Sequence, residues 1–458
     1  MAEYRLPYGK THLTFTLPEG PQVGGPAVLL LSPRPVAGAA DETAAVSDAL
    51  DLVALPPIVH GRKEGRAARC AIAINDKTRP VPHKHLLPPL LARLEALGFA
   101  PREITLIIAT GTHQPMRPEE FPAVVPEHLL GRYTVVSHDA EDRANLVHLG
   151  ETSAGTPVWA NRLFAEADLR IVVGDIEPHQ FAGFSGGVKS AAIGLAGRLT
   201  IDANHAMMFD PRSQIGRYED NPCRQDVEEI GRIMGVHYAL NAVLNEERQI
   251  VHVLAGDPVA VMKAGIAIVR KIFLVEVPEP FDLMIVSPGG HPKDINLYQA
   301  QKALGHAALV MKPDGAVIVA AACPEGTGSR GYEAWMADPA MTSYEAVIER
   351  FRREGFHIGP HKAFQIARDA RGPGADARGP GADASRTRLV WVSEMAPDFA
   401  RRLLLNPPAC PPDASAEERL KEALSEALAA LRPRARIGIM PWANATIPAL
   451  QPSTAAGW

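Results

Sequence analysis

The chain predicts an α/β protein of two domains, and three observations carry that reading. Several short, β-rich apolar runs stop at polar or glycine-rich clusters and are followed by helix-compatible segments, the alternation that builds a sheet covered by helices. These runs fall into two series, separated by a segment with two prolines and two glutamates at 275–280. The 458 residues also exceed one ordinary core, since a domain usually takes roughly 100 to 200.

In the first series, residues 71–74 end at NDKTRP (75–80), 104–109 end at TGTH (110–113), and 133–136 end at Ser137-His138-Asp139. Residues 169–173 run into GDIEPHQFAGFSGGVKSAAIGLAGRLTIDANHAMM (174–208), which crowds histidines, a glycine turn and a lysine into one stretch. In an open α/β sheet, ligands bind at the carboxyl ends of strands, which is where these clusters sit. The second series has 281–286 before Ser287-Pro288-Gly289-Gly290, 315–320 before Cys323-Pro324-Glu325-Gly326, and further strands at 389–392 and 437–440. The predicted boundary lies near Glu279, giving domains 1–278 and 279–458. The duplicated RGPGADA heptad reads as a flexible, solvated insertion at 370–385.

Composition narrows the partners. Hydrophobic residues at 46%, charged residues at 22% and a net charge of −5 describe a globular chain with no footprint for nucleic acid. The four cysteines include no CxxC pair, arguing against a disulfide framework or structural zinc site. No apolar run reaches the roughly 18 residues that span a bilayer. A cytoplasmic protein with a small-molecule partner is expected.

The candidate chemistry follows from residue type and setting. His113, His179 and His205 occupy expected loops or helix starts, where an imidazole can move protons near neutral pH or ligate nickel, zinc or copper; His138, His291 and His306 read as structural. The segment Gly183 to Ser190 nearly matches the phosphate-binding P-loop, with Val188 in place of its second glycine. Ser185, Gly186 and Gly187 can present backbone N–H groups to a phosphate. Lys189 can clamp a phosphate, hold a cofactor covalently, or merely cover a helix end. Asp76 reads either as a helix cap or as a functional carboxylate, and Arg79 as a bidentate carboxylate fork. Gln299 and Lys302 share one face of an expected helix and can hold the oxygens of a small acid.

Taken together, TGTH at 110–113, EPHQFAGFSGGVKS at 177–190 and TIDANH at 200–205 resemble the nickel-dependent lactate racemases and related 2-hydroxyacid racemases and epimerases. The resemblance runs from the NDKTRP turn to the NLYQAQKAL helix. It implies a nickel-pincer nucleotide (a pyridinium-3,5-bisthiocarboxylic acid mononucleotide of nickel) tethered covalently at Lys189, with His205 as the protein ligand of nickel. It further implies His113 and His179 as the two acid/base histidines. Asp76 and Arg79 join them in the catalytic set, and Arg79, Gln299 and Lys302 bind substrate. The cofactor and substrate would then lie in a cleft between the two domains, and inversion at C2 would proceed by proton-coupled hydride transfer through a planar 2-oxoacid. Proteins that make or deliver the cofactor are expected partners. The chain departs from the lactate enzymes at Ile193-Gly194, where they commonly carry Pro-Gly, so the resemblance implies a substrate class rather than one named acid. Two other readings of the residues stand beside it: a non-catalytic protein that binds the cofactor, and a P-loop-like NTPase.

Overall fold

The computed structural model describes residues 2–18, 27–53, 55, 67–79, 81–357, 359–371 and 388–451. Most of the expected insertion at 370–385, and Pro80, lie outside these. The chain divides into two compact units, Pro35–Ile272 and the combination of Met1–Arg34 with Phe273–Trp458.

The Pro35–Ile272 unit is built on a six-stranded sheet. Its spatial order is Ile250–Gly256, Tyr238–Leu244, Leu169–Asp175, Cys70–Asn75, Ile104–Ala109 and Thr134–Ser137. All neighbours are parallel except the edge strand Ile250–Gly256. Parallel strands covered on both faces read as continuous apolar runs, and in Cys70–Asn75 the first five residues are buried without alternation. Ile72, Ile74, Leu106, Ile108, Ile171 and Val173 meet Leu86, Leu87, Leu90, Leu91 and Leu94 of the helix His83–Ala96 in one core.

The other unit has a five-stranded, all-parallel sheet ordered Arg388–Val392, Met311–Ala320, Phe281–Val286, Arg436–Met440 and Ala27–Leu30. The expected N-terminal domain beginning at residue 1 is therefore corrected. Ala27–Leu30 pairs with Arg436–Met440, and the hairpin Ala2–Tyr8/Thr11–Leu17 buries Leu6, Leu13, Phe15 and Leu17 against Leu283, Ile285, Ile318 and Ile439. The segment expected as a linker is likewise structured. Leu274–Val277 pairs in parallel with Ile447–Leu450 and buries Val277 completely. Among the described residues, no helix is long and apolar enough to cross a membrane.

Candidate active site

Four strands of the larger sheet end where the sequence places polar clusters, and the ends of three carry a connected set of side chains. After Cys70–Asn75 the chain turns at Asp76, whose Oδ1 accepts from the Thr78 amide at 3.1 Å and hydroxyl at 2.6 Å. The other oxygen, Oδ2, lies 2.7 Å from Nδ1 of His113, which follows the end of Ile104–Ala109. Asp76 thus belongs to a turn and an imidazole–carboxylate pair; the adjacent helix starts after Pro82 with no side-chain cap. Burial pushes the Asp76 carboxyl up, but the hydrogen bonds from His113 and Thr78 and the charge of Arg79 outweigh it, leaving the group below the ordinary carboxylate range. An acceptor at Nδ1 places the neutral ring's hydrogen there, and Nε2 keeps its lone pair.

The third strand, Leu169–Asp175, delivers the glycine turn. Ser185 Oγ donates to Asp175 O at 3.0 Å and accepts from Glu177 N–H at 3.0 Å, so its hydroxyl ties the turn to the strand end. Gly186 and Gly187 have φ of +80° and +58°, and a Cβ at Gly187 would lie 2.4 Å from Met262. The Gly187 N–H donates to Asn241 Oδ1 at 2.7 Å. The helix that follows, Lys189–Ala192, is a single turn, unlike the long helix that a nucleotide-hydrolysing P-loop feeds.

Lys189 is half-buried along its length. Burial, then the nearby Arg79 and Arg224, lower its amine to about 7 against the opposing influence of Cys223 and Glu177. Arg79 reaches Glu177 at 4.0 Å, so the Asp76 turn and the glycine turn are in electrostatic contact. His179 Nδ1 accepts from Ala182 N–H at 3.2 Å, which puts the neutral ring's hydrogen on Nε2. Phe181 stands edge-on to both His179 and His205, with centroid distances of 4.8 and 5.0 Å. One unit therefore gathers Asp76, Arg79, His113, His179, Ser185, Gly186, Gly187, Lys189 and His205.

Gln299 and Lys302 lie in the other unit. Asn296 caps Leu297–Ala300 through the Gln299 N–H, and Lys302 Nζ donates to Gln299 Oε1 at 2.8 Å, as their three-residue spacing predicts. Of the histidines read as structural, His138 is buried and bonded to Ala196 O, and His306 is bonded to Thr446 O, with burial pushing its imidazole down to about 4. Sequence reasoning does not single out Glu177, Phe181, Asn204, Asn241 or Arg224. Asn241 carried a signal, being one amide inside the apolar strand YALNAVL.

The residues present offer the amine of Lys189 and the imidazole of His205, groups whose chemistry fits a covalent attachment and a single metal ligand. Among the described residues no three His, Cys, Asp or Glu side chains gather to hold a metal, while Lys189 is a nucleophilic amine near neutrality. The buried Asn75 Oδ1 has no hydrogen-bond partner. A Cβ on Gly174 would come within 2.8 Å of it, so the neighbouring strand passes this oxygen closely only because it has no side chain there.

Residues 8–216 match the lactate racemase N-terminal domain and residues 277–356 the lactate racemase C-terminal domain. The lactate racemase of Thermoanaerobacterium thermosaccharolyticum is 33% identical over 343 residues, 74% of this chain and 78% of that protein. That of Lactiplantibacillus plantarum is 35% identical over 269 residues, 58% of this chain and 63% of the relative. The solved lactate racemase apoprotein from T. thermosaccharolyticum superposes with a TM-score of 0.82 at 27% identity, covering 98% of this chain and 100% of that one. A protein from Thermotoga maritima shares the fold, with a TM-score of 0.63 at 17% identity over 90% of this chain and 97% of its own. The class is thus an isomerase of the racemase type, built from two α/β units. The chain belongs to the lactate racemase family.

Proposed function

We propose that this protein racemises or epimerises a 2-hydroxyacid at C2, using a nickel-pincer nucleotide tethered at Lys189 with His205 as its protein ligand. When bound, that group supplies an acceptor for the C2 hydride and returns it. A planar 2-oxoacid has no stereocentre at C2, so passing through it permits return to either face. The observation that carries the reading is the Asp76–His113 pair, linked through Arg79 to the glycine turn that bears Lys189.

The chain's own residues divide the remaining work. His113 takes the hydroxyl proton at Nε2, and the Asp76 carboxylate stabilises the imidazolium that results. His179 is the second histidine, for the opposite face; to alternate between base and acid there, its Nδ1 must exchange the Ala182 N–H contact for a proton. The Arg79 guanidinium grips the carboxylate as a fork, and Lys302 with Gln299 supplies further donors for the substrate oxygens. Ser185, Gly186 and Gly187 would shape the turn beside the bound nucleotide; contrary to the expectation of a backbone phosphate cradle, the Ser185 and Gly187 N–H groups are already taken by Glu177 O and Asn241 Oδ1. Lactate is the leading substrate by kinship, and cofactor-making or delivery proteins are the expected partners.

The test is a chiral assay on protein produced alongside cofactor-synthesis enzymes. His113→Ala and His179→Ala should keep the cofactor adduct by mass yet lose inversion by about 10²-fold or more. Either variant turning over at the wild-type rate would remove that histidine from the mechanism.

A further inference from the structure

Asn204 precedes His205 on the helix Arg198–Ala206 and is completely buried. Its amide nitrogen donates to Cys223 O at 3.0 Å and to Asp226 Oδ2 at 2.9 Å. A backbone carbonyl and a carboxylate only accept, so the amide cannot be turned over without setting oxygen against oxygen. Asn204 Oδ1 is therefore the atom that lies 3.1 Å from His205 Nδ1. An amide oxygen only accepts, so Nδ1 must bear a hydrogen, and a neutral imidazole carries just one.

Asp226 is itself held. Its Oδ1 accepts from the Thr152 hydroxyl at 2.6 Å and its Oδ2 from the Thr156 hydroxyl at 3.0 Å. The Thr152 hydroxyl meanwhile accepts from Thr156 N–H at 3.1 Å, which leaves its own proton for the carboxylate. Thr152, Thr156 and Asp226 are all buried. The chain of bonds runs from the turn after the strand Leu146–Glu151, through the helix Pro222–Ile233, to His205.

We propose that Asn204, oriented by Asp226, locks His205 in the tautomer with hydrogen on Nδ1, so that Nε2 is the nitrogen offered to nickel. Asn204 and Asp226 are positioning residues; the metal-facing part of the assignment rests on the function proposed above. A ligand imidazole whose second nitrogen is held in this way is presented with its ring direction already fixed.

A merely structural network would hold the helices together without dictating which ring nitrogen bears the hydrogen, so the tautomer is the discriminating readout. Nitrogen-15 spectra of the histidine rings in the cofactor-free protein, recorded at a pH of about 8 where an ordinary imidazole is neutral, report it, with His205→Gln assigning the signal. The wild type should show hydrogen on Nδ1. Asn204→Leu should give a mixture or the opposite tautomer. Asn204→Asp should restore the wild-type pattern, one proton shared between the two carboxyls replacing the amide hydrogen. Hydrogen on Nε2 in the wild type, or an unchanged tautomer in a folded Asn204→Leu, overturns the proposal; the wild-type spectrum decides even if that variant fails to fold. In cofactor-loaded protein, Asn204→Leu should hold nickel about 10- to 100-fold more weakly. Nickel retained in full by His205→Ala would refute the ligand reading and with it the metal-facing role, while the spectra judge the lock by themselves.

Discussion

An enclosed amine beside two guanidinium groups gives up its proton more readily than one in water, and Lys189 illustrates the consequence. With its amine at about 7, a large fraction is neutral and nucleophilic near neutral pH, as a covalent tether requires. Modification of the Lys189 peptide by an amine-acylating reagent, followed by mass spectrometry, should titrate with a midpoint near 7; a midpoint near the ordinary lysine value of 10.5 would contradict the enclosure. Between those two values the unfolded chain binds the proton and the folded chain does not, so Lys189 makes stability rise with pH across that window, with the burial penalty full below it. Asp76 is the opposite case. Its depressed carboxyl contributes stability that is full above the ordinary carboxylate range and lost as pH falls through the folded value. Asp76→Asn should lower kcat by about 10²-fold with little change in KM, because it removes the charge that stabilises the His113 imidazolium; steady-state kinetics at wild-type kcat would show that His113 works without it. The types and spacing of these residues were legible in the sequence. The tautomers were not, because Ala182 N–H and Asn204 Oδ1 settle them only through folded geometry.

Each apolar run that ended at a polar cluster proved to be a parallel strand, since burial on both faces demands uninterrupted Val, Ile, Leu and Ala. The glycine turn depends on support that no local pattern announces. Arg224, wholly buried, donates to Phe184 O at 3.0 Å and Gly186 O at 3.2 Å and is paired with Glu228 at 2.6 Å. Its i,i+4 spacing from Glu228 is one that exposed helix pairs share, so nothing in the sequence marks it as buried. Arg224→Met should cost about 3–5 kcal/mol, because it leaves a largely enclosed carboxylate with only the Tyr218 hydroxyl as donor; denaturant melts shifted by less than 1 kcal/mol, on the order of a surface pair, would show the turn to be self-supporting. Gly183 is the other support. At φ +74°, its Cβ would sit 1.7 Å from Arg217 O, a backbone atom that cannot step aside. Gly183→Ala should therefore destabilise by at least about 1–3 kcal/mol in the same measurement.

At the scale of the whole chain, two α/β units and the lactate racemase family were both readable, the first from strand series and the second from three motifs within the first half. The composition of the units was not. The pairing of Ala27–Leu30 with Arg436–Met440 joins segments some four hundred residues apart, and a short apolar strand carries no mark of its partner. The Pro- and Glu-bearing stretch at 275–280 resembled a linker by composition, yet part of it pairs with Ile447–Leu450. Lys189 joins family to site, since on the proposed function it carries the cofactor on which inversion depends. The most direct test of that role is the intact mass of the protein made in cells that synthesise the nickel-pincer nucleotide, wild type beside Lys189→Ala, with a lactate racemase as a positive control. The wild type should carry an added mass that disappears in Lys189→Ala. An unmodified wild type, with the control fully loaded, would contradict that role.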